Sequence, residues 1–192
     1  MYSREVSRLW EAVESLLPGS GSHSIEHTRR VHQICLFLGE KLGADLGVLS
    51  PAAMLHDIGR RREVANHAEE SARLAEKVLG DLGFEEPRIK PIAEVIRTHS
   101  FSGDQRPGSL EAEILSDADK LDALGAVGVY RAAAYTSEEG RSLGDFINHF
   151  HEKLLKLPDL LYTSPAREMA LQRKEFMVRY LEQLGRELKL EA

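Results

Sequence analysis

Apolar side chains recur at intervals of three and four residues along most of the chain. Val6, Leu9 and Val13 belong to one such stripe, and Val31 and Leu38 lie on another. This spacing places side chains on one face of an α-helix, and no sustained alternation of β-branched residues predicts a strand. The sequence therefore predicts an all-α fold, a helical bundle with additional helices at its C-terminal end.

The helix boundaries are predicted from capping residues, proline and glycine. Ser50–Pro51 predicts the start of a short helix that Gly59 closes, because serine caps helix N-termini and proline suits the first turn. One long helix is expected over Leu110–Gly128. A capping box of Ser142 and Asp145 is expected to begin a later helix, which Pro158 is expected to end. The chain is thus predicted to be a series of helices joined by short loops.

The composition fits a single globular domain. With 192 residues, 42% of them hydrophobic and 29% charged, the chain has ordinary globular proportions. Its net charge of −6 gives no overall attraction to nucleic acid or anionic lipid. No segment reaches the roughly 18 apolar residues of a membrane span, and the first residues do not form an apolar targeting segment. With Cys35 as its one cysteine, the sequence predicts a cytoplasmic protein without disulfides that binds neither nucleic acid nor membrane.

Histidine is concentrated in the first half of the sequence. Six of the eight histidines fall within the first 99 residues, and five of these six are candidate functional residues: His23, His27, His56, His67 and His99. A lone inward-facing histidine is more often a hydrogen-bonded core residue, but several together with carboxylates are the ligand set of a divalent transition metal. The other three, expected on solvent-facing sides, are His32, His149 and His151.

The adjacent pair His56 and Asp57 lies near the predicted end of the short helix. A carboxylate is unfavourable at a helix C-terminus unless a positive charge compensates it. A bound metal ion would supply that charge, and so would Arg60 or Arg61. At a helix end both side chains of the pair can turn toward one ion.

A second acidic segment, Asp117–Asp122, contains three carboxylates in a helix that otherwise consists of apolar and small residues. Carboxylates in such a run most often face solvent. Asp119 is the one expected to face inward, since it shares a helix face with Ala112 and Ala123. The neighbouring Lys120 can meet a phosphate as a point charge.

In this order and with their neighbours, His27, His56–Asp57 and Asp119 resemble the H…HD…D signature of the HD-domain metal-dependent phosphohydrolases. The resemblance implies one HD-type helical domain over residues 1–192. Its catalytic core would span about residues 20–135, with a helical extension over about residues 141–192. It also implies that His27, His56, Asp57 and Asp119 bind one divalent ion per chain, which would be Mn, Fe, Mg, Co, Ni or Zn.

Roles for further residues are hypotheses built on this resemblance. The catalytic candidates, for proton transfer and contact with the leaving group, are His67, His99, Lys120 and Asp57. The substrate-binding candidates, chiefly for neutralising phosphate charge, are Arg30, Arg60, Arg61, Lys120 and His23.

The predicted substrate is a phosphorylated small molecule, with a nucleotide favoured. Stringent-response alarmone hydrolases carry a Glu-Asp pair where this sequence has Arg60 and Arg61, which disfavours that activity. Within the HD superfamily, the sequence resembles a small single-domain branch of bacterial and archaeal proteins that is similar to nucleotide pyrophosphohydrolases. A nucleoside triphosphate is therefore the favoured substrate.

Three alternative functions remain open from the sequence. Cyclic-di-GMP phosphodiesterases share a basic residue at the position of Arg60, although their GYP-type signature is absent. A di-iron oxygenase would use His67 and His99 on a second iron. A regulatory module would bind metal or nucleotide without turnover. As a separate expectation about partners, the last helix offers an interface for a homodimer.

Overall fold

The structure is a computed structural model that describes residues 2–19, 21–60, 66–99 and 106–191. Over these residues the chain forms nine α-helices and one 3₁₀ helix, with no strand, which confirms the all-α prediction. None of these helices is long and apolar enough to cross a membrane. The α-helices are α1 (Tyr2–Leu16), α2 (Ile25–Leu42), α3 (Leu46–Leu55), α4 (His67–Asp81), α5 (Glu86–Thr98), α6 (Leu110–Asp122), α7 (Gly125–Glu138), α8 (Leu143–Glu152) and α9 (Ser164–Leu188).

The chain divides into two compact units, Met1–Ala118 and Asp119–Ala192. In the first unit, α3 packs against α1, α2, α4 and α5, and α4 also packs against α5. The prediction of a single domain, with a core over about residues 20–135 and an extension over about 141–192, stays a prediction.

The central helix of the first unit is α3. Its residues from Leu49 to Leu55 are all buried, and burial continues through the following turn to Gly59. A helix that is apolar on every side is stabilised by neighbours all round it. Because His56 and Asp57 follow directly after α3, they begin the turn at the end of the most deeply buried helix of this unit.

The prediction that Ser50–Pro51 begins this helix is wrong. Helix α3 begins at Leu46, where the Asp45 side chain accepts a hydrogen bond of 2.8 Å from the Gly47 amide, and Pro51 lies inside the helix. The N-cap at Asp45 and packing on all sides together override the local preference of proline for a helix start.

The long helix expected over Leu110–Gly128 is two helices. Helix α6 ends at Asp122, Leu124 is extended, and α7 begins at Gly125, which has a φ of 73°. Glycine adopts this left-handed conformation without the penalty of a Cβ, and the conformation interrupts helical hydrogen bonding. The small residues of the segment therefore belong to a break between helices as well as to the helices themselves.

The second unit contains α7, α8, α9 and the 3₁₀ helix (Leu154–Leu160). Helix α7 packs against α8 and α9, and α9 also packs against the 3₁₀ helix. A reciprocal capping box between Ser142 and Asp145 begins α8, as predicted. Pro158 does not end this helix, because α8 ends at Glu152 and Pro158 lies inside the 3₁₀ helix.

His32 was expected to face solvent, but it is half-buried. Its ring lies edge-to-face with Trp10, with centroids 5.3 Å apart, and its Nε2 lies 2.9 Å from the Ser50 hydroxyl. Burial lowers the pKa of His32 from 6.5 to about 4. His149 is half-buried, contrary to expectation, and His151 is exposed, as expected.

Candidate metal centre

Five histidines of the first unit, all of its histidines except His32, form one cluster beside Asp57. Their rings make a chain of edge-to-face contacts with centroids 5.3–5.6 Å apart, in the order His23, His27, His56, His99 and His67. Asp57 is only 2% exposed, and three of the five histidines are 1% exposed or less. So many polar groups in a core require partners, which they find in each other and in the main chain.

His56 and His99 are held by the ends of two helices that pack together. His56 Nδ1 donates a hydrogen bond of 2.8 Å to the carbonyl of Ala53, and His99 Nδ1 donates one of 2.5 Å to the carbonyl of Ile96. Because a carbonyl only accepts, each neutral ring carries its proton on Nδ1 and a lone pair on Nε2. Such contacts commonly orient metal-binding histidines in proteins.

Three potential ligand atoms of the first unit face a common point. His27 Nε2 lies 3.3 Å from His56 Nε2, and Asp57 Oδ2 lies 3.6 Å from the first and 3.8 Å from the second. Ligand atoms placed about 2.0–2.2 Å from a tetrahedrally coordinated ion are about 3.3–3.6 Å apart. Two imidazoles and a carboxylate are also a donor set that suits divalent transition metals. These residues therefore fit a divalent metal ion.

The carboxyl of Asp57 is ionised in spite of its burial. Burial by itself would raise the pKa of Asp57, but the electrostatic influence of His56 and Arg60 and the contacts with His23 and His27 hold this pKa well below its usual value. A carboxylate that stays charged in the core is suited to a cation. Asp57 is thus the central acid of the cluster.

The other oxygen of Asp57 faces the turn after α3 and the start of α4. Arg60 Nε donates a hydrogen bond of 3.0 Å to Asp57 Oδ1, and Arg60 Nη2 lies 2.8 Å from His67 Nε2. His67 Nε2 itself lies 3.8 Å from Asp57 Oδ1. Asp57, His67 and His99 also offer ligand atoms that all lie within 4.8 Å of one another.

His23 also touches the central acid. Its Nδ1 donates a hydrogen bond of 2.9 Å to Asp57 Oδ2, the oxygen that faces His27 and His56. About a third of the His23 side chain is exposed, so it lies at the edge of the cluster. The sequence did not indicate this contact with Asp57. The predicted contact of His23 with substrate stays a prediction.

The predicted residues of the second unit are Asp119 and Lys120. Asp119 is half-buried, and Asp117 and Asp122 are 1% exposed or less, so Asp119 is not the only acid of this segment that is turned away from solvent. Lys120 is buried, and its ammonium lies 5.4 Å from the ring centroid of Tyr162. The roles of Asp119 in metal binding and Lys120 in substrate binding stay predictions.

Two further arginines complete the predicted set. Arg30 is half-buried on α2, one turn after His27. Arg61 lies outside the residues that the structure describes. Of the arginines predicted to bind phosphate, Arg60 has contacts with the central acid.

A close contact between the α3 turn and α4 was not predicted. The Gly59 amide donates a hydrogen bond of 2.9 Å to the Ser71 hydroxyl. A Cβ at Gly59 would lie 2.4 Å from the Ser71 amide nitrogen, so a larger residue does not fit there. Gly59 therefore does more than end a helix, since it lets the turn that carries Asp57 and Arg60 approach the main chain of α4.

Comparisons with known proteins identify the family of this chain. The family model of the HD domain matches residues 24–124. The uncharacterized protein YpgQ of Bacillus subtilis strain 168 is 32% identical over 197 residues, which covers 96% of this chain and 93% of that protein.

Solved structures are similar over nearly the whole chain. The crystal structure of Bacillus subtilis YpgQ in complex with ADP has a TM-score of 0.82 and 31% identity, and the match covers 95% of this chain and 97% of that one. The crystal structure of an HD-superfamily hydrolase from Bacillus thuringiensis has a TM-score of 0.76 and 31% identity, with 98% and 99% covered.

Proposed function

Because this chain belongs to the HD-domain family and has the fold of HD-superfamily hydrolases, we propose that it is a metal-dependent phosphohydrolase that acts on nucleotides. The observation that carries the proposal is the convergence of His27, His56 and Asp57 on one point, at ligand separations of 3.3–3.8 Å. A nucleoside triphosphate is the proposed substrate, and hydrolysis releasing pyrophosphate is the proposed reaction.

The proposed ligands of the ion are His27, His56 and Asp57, with Asp119 of the second unit as the fourth. When bound, a divalent ion polarises a phosphate oxygen and lowers the pKa of a bound water toward 7. Mn²⁺ is the first metal to test, because a mixed set of histidine and carboxylate ligands binds Mn²⁺ and also binds Fe²⁺ and Zn²⁺.

The chain's own residues bind and orient the substrate. Arg60 places a permanent positive charge next to Asp57, only partly shielded from solvent, where a phosphate can approach it. Arg30 and Lys120 are proposed to bind further phosphate oxygens. A chain of net charge −6 needs such local cations, because its overall field does not attract a nucleotide.

Proton transfer is assigned to His67, which lies at the edge of the cluster. His67 is 12% exposed and lies beside both Asp57 and Arg60, so it can exchange a proton with solvent or with a leaving group. His99 is oriented by its contact with Ile96 and lies next to His67 in the chain of rings. We propose His67 as the proton donor and His99 as its neighbour that fixes the ring.

A nucleotide substrate is supported by one relative. Bacillus subtilis YpgQ has been crystallised in complex with ADP, and its fold covers nearly all of this chain. Nucleotide binding in a relative of 31% identity makes a nucleotide the first class to test here.

The test is a product screen on the purified protein with added Mn²⁺. The substrates are the eight common ribo- and deoxyribonucleoside triphosphates, and the released pyrophosphate and inorganic phosphate are measured separately. Pyrophosphate release that is lost in His27→Ala and retained in Arg73→Ala would support the proposal. Arg73 is an exposed residue of α4, paired with Glu70, and serves as the control. No hydrolysis of any phosphoanhydride or phosphoester in the metal-loaded protein would contradict it.

Cyclic nucleotide or dinucleotide phosphodiesterase activity is the second candidate. It is favoured by the group of Asp57, His67 and His99, whose ligand atoms lie within 4.8 Å of one another, although a second ion there would require Arg60 to move away. The screen therefore includes cyclic mononucleotides and cyclic dinucleotides. Formation of a linear dinucleotide without pyrophosphate release would select this activity over the first.

A further inference from the structure

The two oxygens of Asp57 face different partners. Oδ2 lies 2.9 Å from His23 Nδ1 and 3.6 Å from His27 Nε2. Oδ1 lies 3.0 Å from Arg60 Nε and 3.8 Å from His67 Nε2. A single carboxylate thus borders two separate places where a cation can bind.

Arg60 already holds the second of these places. Its Nε donates to Asp57 Oδ1 and its Nη2 donates to His67 Nε2, so one guanidinium bridges the carboxylate and the imidazole. These are two of the three residues, with His99, whose ligand atoms lie within 4.8 Å of one another. A metal ion bound there would need the two lone pairs to which Arg60 donates.

The position of Arg60 follows from the fold of the turn. The Arg60 amide donates to the Asp57 carbonyl at 3.0 Å, which closes the turn after α3. The Gly59 amide is hydrogen-bonded to Ser71, which ties this turn to α4, the helix that His67 begins. The contact between turn and helix therefore sets the positions of Asp57, Arg60 and His67 together.

We propose that the Arg60 side chain takes the place of a second metal ion between Asp57 and His67 and so limits the centre to one ion per chain. Arginine stays charged at all accessible pH values, and it repels a divalent cation at this distance. Its fork geometry also matches two acceptors at once, which the ammonium of lysine matches less well. The inference rests on the proposed metal centre and deepens it by assigning to Arg60 the restriction to one ion.

The experiment measures bound metal, independently of turnover. Wild type, Arg60→Met and Arg60→Gln are saturated with Mn²⁺ and dialysed, and the metal content is measured by mass spectrometry. Electron paramagnetic resonance then distinguishes an isolated Mn²⁺ from a coupled pair. Arg60→Gln keeps a hydrogen-bond donor without the charge, which provides a milder variant if the methionine variant does not fold.

We expect about one Mn²⁺ per wild-type chain and about two in Arg60→Met, with a coupled spectrum in the variant. Adding His67→Ala to Arg60→Met should return the content to about one, because the second place then lacks a ligand. Arg73→Met is the matched control, since Arg73 also pairs with a carboxylate three residues before it but is exposed on α4. It should keep the wild-type content.

Two ions in the wild type, or one ion in both Arg60→Met and Arg60→Gln, would overturn this inference. These results are distinct from a failure of the proposed function. A wild-type protein with one ion and no phosphohydrolase activity would overturn the function and leave the role of Arg60 supported. A wild-type protein that hydrolyses nucleotides with two bound ions would support the function and overturn the role of Arg60.

Discussion

His56 and His99 are oriented by the same contact at the ends of different helices. Each ring donates its Nδ1 proton to the main-chain carbonyl three residues earlier, and the two ring centroids are 5.3 Å apart. Helices α3 and α5 pack against each other, which brings the two helix ends together. The main chain thus holds both rings in a fixed orientation, with the ring proton on Nδ1.

Removing the central acid should remove the metal. In Asp57→Ala and in the isosteric Asp57→Asn, the charge that draws a cation between His27 and His56 is lost. We expect bound Mn²⁺ to fall below detection and nucleotide hydrolysis to fall by more than about 100-fold. Metal content and initial rates at saturating Mn²⁺ measure both effects.

The control for this loss is Asp81→Asn, at the exposed end of α4. It removes a carboxylate from the same unit without touching the cluster, and it should keep metal and activity. Full activity in Asp57→Ala, with circular dichroism showing a folded protein, would rule out the proposed mechanism.

His23 is expected to act through Asp57. Its Nδ1 donates to Asp57 Oδ2, so His23→Ala leaves the carboxylate less firmly oriented. We expect Mn²⁺ affinity to fall by about 10- to 100-fold, as for other partners of metal ligands. His23→Asn, whose amide can donate from a similar position, should recover part of this loss. Titration calorimetry with Mn²⁺ alone makes the measurement.

A role of His23 in substrate binding alone predicts a different result. In that case His23→Ala would raise the KM for the nucleotide and leave the affinity for Mn²⁺ unchanged. The comparison of metal affinity with KM therefore separates the contact seen in the structure from the contact predicted by the sequence.

Gly59→Ala should destabilise the protein and loosen the metal centre. The added Cβ would lie 2.4 Å from the Ser71 amide nitrogen, so the turn and α4 must move apart. We expect the free energy of unfolding to fall by about 1–3 kcal/mol, as for other overpacked sites. Urea denaturation measures this change, and calorimetry measures the accompanying loss of Mn²⁺ affinity.

Gly80→Ala is the matched control on α4. A Cβ at Gly80 meets nothing within 4 Å, and its φ is not left-handed. Because alanine favours a helix over glycine, this variant should be more stable by about 0.5 kcal/mol and bind Mn²⁺ normally. Equal stability losses in the two variants would contradict the close contact at Gly59.

The protein should lose stability in acid partly through His32. Burial lowers the pKa of His32 from 6.5 to about 4, so the unfolded chain takes up a proton first as the pH falls. The stability that the neutral His32 ring contributes to the folded state is complete above pH 6.5 and is lost between pH 6.5 and about 4. Since the ring is partly exposed, we expect a loss of about 2 kcal/mol from this group.

The test compares wild type with His32→Gln in urea at pH 7.5, 6, 5 and 4. Glutamine does not titrate, so the stability difference between the two proteins should shrink as the pH falls through this window. Parallel pH dependences of the two proteins would show that His32 is not buried as a neutral ring.

Much of the fold was predictable because helical periodicity is a local property. The spacing of apolar residues predicted helices throughout, and the capping box of Ser142 and Asp145 predicted the start of α8. The errors occurred where packing overrides local preference, as at Pro51 inside α3. At Gly125 a left-handed conformation separates two helices that the residue types alone do not distinguish from one.

The candidate site was predictable in its residue types but not in its contacts. His56 and Asp57 were expected to act together because they are adjacent at a helix end. The sequence indicated Arg60 or Arg61 as a compensating charge for Asp57, but how the two Asp57 oxygens are divided between the histidines and Arg60 had no sequence signal. Likewise, Asp117 and Asp122 are more deeply buried than Asp119, although helix periodicity alone pointed to Asp119.

The sequence by itself determined the helical class and the presence of five histidines and an acid suited to a divalent cation. Helix spacing and metal-ligand chemistry depend on residue types and short intervals, which can be read along one chain. Only the tertiary structure decided that Arg60 bridges Asp57 and His67, and that Gly59 must approach Ser71. Those contacts join separate elements, and their distances depend on how α3 and α4 pack, which no local pattern specifies.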